Sequence, residues 1–261
     1  MRSLTKKMRV WLKKEEIDGA ALAGATAVVM DVLLATTTLL AIIEAGARRI
    51  LPAGSLEEAR RLADELASPL LLTGGEEGGA RVEGFDCGPF PDEYSPEKVK
   101  GKDVVFLTTN GTRAIARAQS ADELLIACLR NAPAVAWYLQ EAKTDTVRLI
   151  CAGSLGRVSL EDALCAAVIL AEMDLTGWDL DDAAVLLREW GVSCREEIPR
   201  ILKKGRVGRW FEREGETRVL RYTGEVGASD TLIVFKDGLV VPLKLNGERR
   251  ELPKIQRGPH N

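Results

Sequence analysis

A three-layer α/β/α sandwich on a mostly parallel, mixed sheet is the fold that this sequence predicts, and three observations lead to it. Short runs that are apolar throughout alternate with helical patterns over the first two thirds of the chain, as strands covered on both faces by crossover helices require. With 261 residues, 46% apolar and 29% charged, the chain can bury a large core without a metal or disulfide staple. No clean linker, internal repeat or low-complexity tract interrupts it. Residues 1–261 are therefore expected to form one α/β domain, divergent in its carboxy-terminal part from about residue 177.

The elements follow in order. Gly19 to Ile43 carries one charge, Asp31. A central acid costs about 2.5–3.5 kcal/mol on the membrane-insertion scale, so the run reads as a buried strand, Thr26–Leu33, and a buried helix, Thr36–Ala45, and no membrane association is expected. Before it, Lys13 and Lys14 are mixed with Glu15 and Glu16, unlike the basic lead of a signal peptide. Arg49–Pro52 is a short strand, and Ser55 with Glu58 has the spacing of a capping box opening a helix to about Ala67. Strands are expected at Leu70–Thr73, Asp103–Thr109, Glu123–Leu129 and Thr146–Ala152. The intervening helices are Thr112–Ala118 and Asn131–Glu141, and Ser159 with Asp162 opens a long one to Met173. After Gly177 two helical stretches, Leu180–Trp190 and Ser193–Lys203, precede short strands near Thr217–Tyr222, Thr231–Phe235 and Leu239–Leu243, expected as antiparallel edges of the same sheet.

Rare residues exclude whole classes of chemistry. The one histidine, His260, stands next to the carboxy-terminal residue, so histidine-based zinc sites and Ser-His-Asp triads have nothing to use. Five cysteines without a Cys-x-x-Cys pair fit neither a disulfide framework nor structural zinc, which points to a reducing cytoplasm. Lys plus Arg number 36 against 39 Asp plus Glu, a net charge of −3, too acidic for a general nucleic-acid binder. A small-molecule partner is the better expectation, and a homo-oligomer is compatible with the sequence.

Open parallel sheets bind ligands where strands lead into helix amino termini, and polar clusters fall at those positions. An ionised carboxylate in an apolar strand is costly unless paired, hydrogen-bonded or metal-bound, which makes Asp31 the most informative residue. Without histidine or thiol pairs a hard cation suits it, so Mg²⁺ held by Asp31 with Glu161, Asp162 or Glu76 is one reading. The other is that Asp31 accepts main-chain amides at a strand end while Glu161 and Asp162 complement a helix dipole. Thr36, Thr37 and Thr38, and Thr109, Asn110, Gly111, Thr112 and Arg113, place hydroxyls at two strand-to-helix turns, as an anion cradle would, or as strand ends and helix caps do. Gly153 lies in a third such loop. The basic run Arg200, Lys203, Lys204, Arg206 and Arg209 reads as a solvated face or as a patch that steers an anionic substrate, and Cys151, without a neighbouring base, as core.

Three motifs in order then resemble the 2-phosphosulfolactate phosphatase family: Asp31-Val32-Leu33-Leu34-Ala35-Thr36-Thr37-Thr38, Thr108-Thr109-Asn110-Gly111-Thr112-Arg113-Ala114, and Cys151-Ala152-Gly153 followed by Ser159-Leu160-Glu161-Asp162. The resemblance runs over residues 8–175 or so, with Val240-Val241-Pro242 resembling the closing strand. It implies a Mg²⁺-dependent hydrolase that converts 2-phospho-3-sulfolactate to sulfolactate and phosphate in coenzyme M biosynthesis. It further implies that Asp31, Glu161 and Asp162 serve as metal or acid–base groups, that Arg113 takes part in catalysis, and that Thr36–Thr38, Glu76, Thr109–Thr112 and Gly153 contact a small anionic phosphoester. The chain departs from the family at Leu34, where an arginine is usual, and at Gly88-Pro89-Phe90-Pro91, where Gly-Asn-Ser-Pro is usual; Ser193–Thr231 also fits poorly. These departures keep two other readings in view, a relative that binds a small anion without turnover and a phosphatase for another phosphoester.

Overall fold

The computed structural model describes residues 5–142, 144–194 and 197–244; His260 lies outside them. The strands are β1 Lys7–Trp11, β2 Thr26–Met30, β3 Arg49–Ala53, β4 Leu71–Glu77, β5 Ala80–Arg81, β6 Asp103–Leu107, β7 Glu123–Ala127, β8 Thr146–Cys151, β9 Asp179–Leu180, β10 Ile233–Lys236 and β11 Leu239–Pro242. The helices are α1 Ala35–Glu44, α2 Leu56–Leu66, α3 Pro96–Val99, α4 Gly111–Ala118, α5 Ala132–Glu141, α6 Leu160–Glu172, α7 Asp182–Cys194, α8 Ile198–Lys204, α9 Arg206–Arg213 and α10 Thr217–Thr223. All strands join one sheet in the order β5-β4-β6-β3-β11-β10-β7-β2-β8-β1-β9.

Period-two alternation builds the three layers. In β2, Val28 and Met30 point into a core shared with α5, α6 and α7, while Ala27 and Val29 point the other way, into a core with α1 and α4, as successive strand residues must. A third cluster seats α2 on Ala53, Val105 and Leu107. Helix α1 is buried from Ala35 to Ile43, which explains its lack of a polar face. Ser55 caps α2 by accepting the Glu58 amide at 3.2 Å, but the Glu58 carboxylate reaches back to Gly54 N–H at 2.8 Å, one residue before the expected partner.

Two expectations are corrected. Thr217–Tyr222 is helical, not a strand: Val219, Leu220 and Thr223 are buried along one side of α10, and packing on Phe211 overrides the β-rich composition. The last two strands are central, not edges. β11 pairs antiparallel with β3, β10 with β11, and β10 with β7, so the hairpin joins a parallel block β4-β6-β3 to a second parallel block β7-β2-β8-β1-β9 of opposite ladder sense. Strand β1, which the sequence reading passed over, pairs in parallel with β8. The carboxyl ends of β6 and β2 nonetheless meet, with Gly111 after β6 lying against Asp31 after β2, and α4 packs on β2.

Candidate active site

Asp31 stands immediately after β2 and is 8% exposed. Its main chain closes the turn into α1, the carbonyl accepting Thr36 N–H at 2.9 Å and its own N–H donating to Thr36 Oγ1 at 3.1 Å. Its carboxylate accepts the Gly111 N–H at the start of α4. Only glycine allows that approach: a Cβ on Gly111 would lie 2.4 Å from Ala35 Cβ and 2.9 Å from Asp31 Oδ2. Burial first, then the charges of Glu161 and Glu76, push the Asp31 carboxyl up to about 7, against the Gly111 amide and the Lys14 ammonium.

Glu161 and Asp162 reach the same place from the first turn of α6. Asp162 is wholly buried, and its Oδ1 accepts Val32 N–H at 2.8 Å while Oδ2 accepts Gly153 N–H at 3.0 Å. The Ser159–Asp162 spacing that suggests a helix cap thus marks a clamp between the loops after β2 and β8. Gly153 sits at φ +64° with Arg157 O 2.7 Å from where a Cβ would be. Burial, then Asp31 and Glu161, hold Asp162 well above the usual carboxylate range. Burial also raises Glu161, with its own amide and Arg206 opposing. Gly205, at the junction of α8 and α9, lies against Glu161, whose Oε2 is 2.9 Å from where a Cβ would be, and Arg206 donates to Ser154 Oγ.

From the other block, Glu76 at the end of β4 organises the β6–α4 turn. Its Oε1 accepts Thr109 N–H at 2.6 Å, and its Oε2 accepts Thr109 Oγ1 at 2.9 Å and Gly79 N–H at 2.6 Å. Asn110 turns its Oδ1 to the Lys14 ammonium at 2.9 Å. Lys14 is a group the sequence reading missed, because a lysine in a charged run carries no signal of its own. It is 7% exposed, and its main chain is fixed by an N–H to Ala152 O and by Arg117 Nη1 on its carbonyl, each 3.1 Å.

The structure therefore brings together Asp31, Glu161, Asp162, Gly153, Glu76, Thr109, Asn110 and Gly111. Other expected groups are engaged elsewhere. Thr36, Thr37 and Thr38 are wholly buried, and their hydroxyls serve Asp31 N–H, Val32 O at 2.8 Å and Pro89 O at 2.7 Å. Thr112 bonds Thr108 through both its amide and its hydroxyl. Arg113 is exposed on α4 and donates to Gly54 O at 3.1 Å, because the first turn of α4 points its third residue outward once Gly111 faces Asp31. Cys151 is wholly buried, and burial lifts its thiol far above the ordinary range, as suits core.

Among the described residues no set of three or more His, Cys, Asp or Glu side chains is placed to hold a metal ion, so the carboxylates form no closed cage. Mg²⁺ needs none, since it takes one or two carboxylates and fills its octahedron with water and phosphate oxygens. Three buried carboxyls, of which Glu161 raises Asp31 and both raise Asp162, make an all-oxygen donor set, and that set fits such a cation. Asp31 and Glu161 have oxygens to offer; both oxygens of Asp162 are already on amides. A cavity of about 340 Å³ at the amino ends of β2 and β7 is lined by Glu123 and Glu141 beside Trp137 and Tyr138, a lining that repels anions.

Comparison with known proteins gives the family. A family model described as 2-phosphosulpholactate phosphatase matches residues 11–238. A protein of Caldanaerobacter subterraneus subsp. tengcongensis named probable 2-phosphosulfolactate phosphatase is 36% identical over 82% of this chain and 88% of its own. One of the same name from Symbiobacterium thermophilum is 39% identical over 85% and 96%, and one from Clostridium perfringens SM101 is 33% identical over 89% and 94%. No helix among the described residues is long and apolar enough to cross a membrane.

Proposed function

Because this chain belongs to the 2-phosphosulfolactate phosphatase family, we propose that it is a Mg²⁺-dependent phosphomonoesterase acting on 2-phospho-3-sulfolactate or a close relative. Water attacks phosphorus, the ester P–O bond breaks, and the alcohol leaves with a proton as inorganic phosphate is released. The observation that carries this reading is the buried carboxyl of Asp31, seated on the amino terminus of α4 and surrounded by Glu161, Asp162 and Glu76. Asp31 and Glu161 would hold Mg²⁺, which when bound supplies Lewis-acid polarisation of a phosphoryl oxygen. Asp162 fixes the loops that carry Asp31 and Gly153. Glu76 sets the β6–α4 turn, in which Asn110 meets the Lys14 ammonium, and Arg206 balances charge at Glu161. Five free, buried cysteines support a cytoplasmic setting, the single sheet joined by its central hairpin supports one domain, and the family resemblance implies coenzyme M biosynthesis as its context.

One observation favours a second reading, a less charged phosphoester. Leu33, Leu34 and Phe90 pack with Phe211, Val219 and Leu220, so an apolar cap adjoins the loop after Asp31. Phosphate release from a panel of phosphomonoesters, with Mg²⁺ and then with chelator, separates the two. Turnover of 2-phospho-3-sulfolactate supports the first reading and turnover of other esters alone the second. Release that persists in chelator contradicts both.

A further inference from the structure

The turn expected to cradle phosphate is largely satisfied from within. Thr109 N–H is held by Glu76, Gly111 N–H by Asp31, and Thr112 N–H by Thr108, and the hydroxyls of Thr36, Thr37, Thr38 and Thr112 are all engaged. Arg113 faces Gly54. An anion arriving beside Asp31 must therefore be met by something else.

Lys14 is placed for it. Its backbone is clamped to Ala152, next to Gly153, on one side and to Arg117 of α4 on the other, so the side chain spans the gap between the two strand blocks. The ammonium meets Asn110 Oδ1 at 2.9 Å and Glu15 Oε1 at 3.2 Å. Those are its oxygen partners among the described residues, which leaves one of its three protons free. Glu15 is 39% exposed in its side chain against 9% for Lys14, so solvent screens that ion pair while the ammonium itself is desolvated, and the ammonium also acts on the Asp31 carboxyl beside it. A buried cation so partnered is stabilised by a further oxygen, and the partly exposed Thr109 and Asn110 beside it open this corner to solvent.

We propose that Lys14 is a substrate-binding residue of this site, its ammonium contacting a phosphoryl oxygen while Asn110 fixes its direction. The proposal rests on the phosphatase reading only in naming the ester; the anion site itself is tested with inorganic phosphate. Calorimetric titration of inorganic phosphate into wild-type protein and into Lys14→Met is the test, with circular dichroism and thermal melting to confirm the fold. A charge-assisted contact of this kind predicts a roughly 10- to 100-fold weaker affinity in Lys14→Met, partial recovery in Lys14→Arg, and a rise in KM larger than any fall in kcat. An affinity that is unchanged in folded Lys14→Met, or no phosphate binding by the wild type, overturns it. Should Lys14→Met fail to fold, the Lys14 ammonium resonance of ¹⁵N-lysine-labelled wild type decides: movement on phosphate addition supports the contact, and a static signal refutes it. Phosphate binding lost in Lys14→Met with no turnover by the wild type would sink the phosphatase reading and leave this one standing; turnover with unaltered phosphate affinity would do the reverse.

Discussion

At Asp31, burial and like charge act against ionisation while the Gly111 amide and the Lys14 ammonium act for it, and the first pair wins, leaving the carboxyl near 7. An unfolded Asp titrates near 4. The folded protein therefore holds a proton that the unfolded chain has lost between those values, so this contribution to stability is greatest in acid and disappears as pH rises from about 4 through about 7. Metal-free protein is expected to melt at higher temperature at pH 5.5 than at pH 8, and Asp31→Asn to flatten that slope; a wild-type melting temperature that rises with pH contradicts the assignment. Much of this was legible: a lone acid in an apolar strand announces itself. Direction was not. Nothing in Thr36–Thr38 says that hydroxyls will turn to main chain, nothing in Arg113 says that it will face Gly54, and Lys14 becomes visible only once its turn is placed between Ala152 and Arg117.

Elements fix where those residues stand. Asp162→Ala would orphan the buried amides of Val32 and Gly153, at about 1–3 kcal/mol each, and urea unfolding should show the loss; a midpoint within error of wild type would mean the clamp is absent. Gly153→Ala adds a Cβ at positive φ against Arg157 O and should cost about 1–3 kcal/mol by the same measurement. Amphipathic and buried periods revealed α1, α2, α4, α5, α6 and the strands between them. Thr217–Tyr222 misled because threonine, valine and tyrosine favour strands only where a sheet edge offers pairing, and here the neighbour is Phe211 on α9. The strands at the carboxy terminus were legible as strands, but their insertion between β3 and β7 depends on which edges remain open, a property of the assembled sheet.

Across the whole molecule, the central hairpin reverses ladder sense, yet Asp31 after β2 and Gly111 after β6 meet, so the candidate site lies between two blocks and not along one edge. The positions that depart from the family pattern, Leu34 and Phe90, also come together in one apolar cluster with Phe211, which makes them one feature of the cap. Phe211→Ala should lower stability by about 3–5 kcal/mol if the cap is integral, while a cap that docks loosely would show far less in a urea titration. The family and the three-layer architecture could be read from motifs and alternation; the cap could not, because its helices match no motif. Phosphate release from 2-phospho-3-sulfolactate, followed as Mg²⁺ is titrated into wild-type protein and into Asp31→Asn at pH 7.5, bears most directly on the central claim. Saturable, Mg²⁺-dependent release by the wild type, lowered roughly 100-fold or more in a folded Asp31→Asn, is the result this site predicts, and equal release by the two proteins would contradict it.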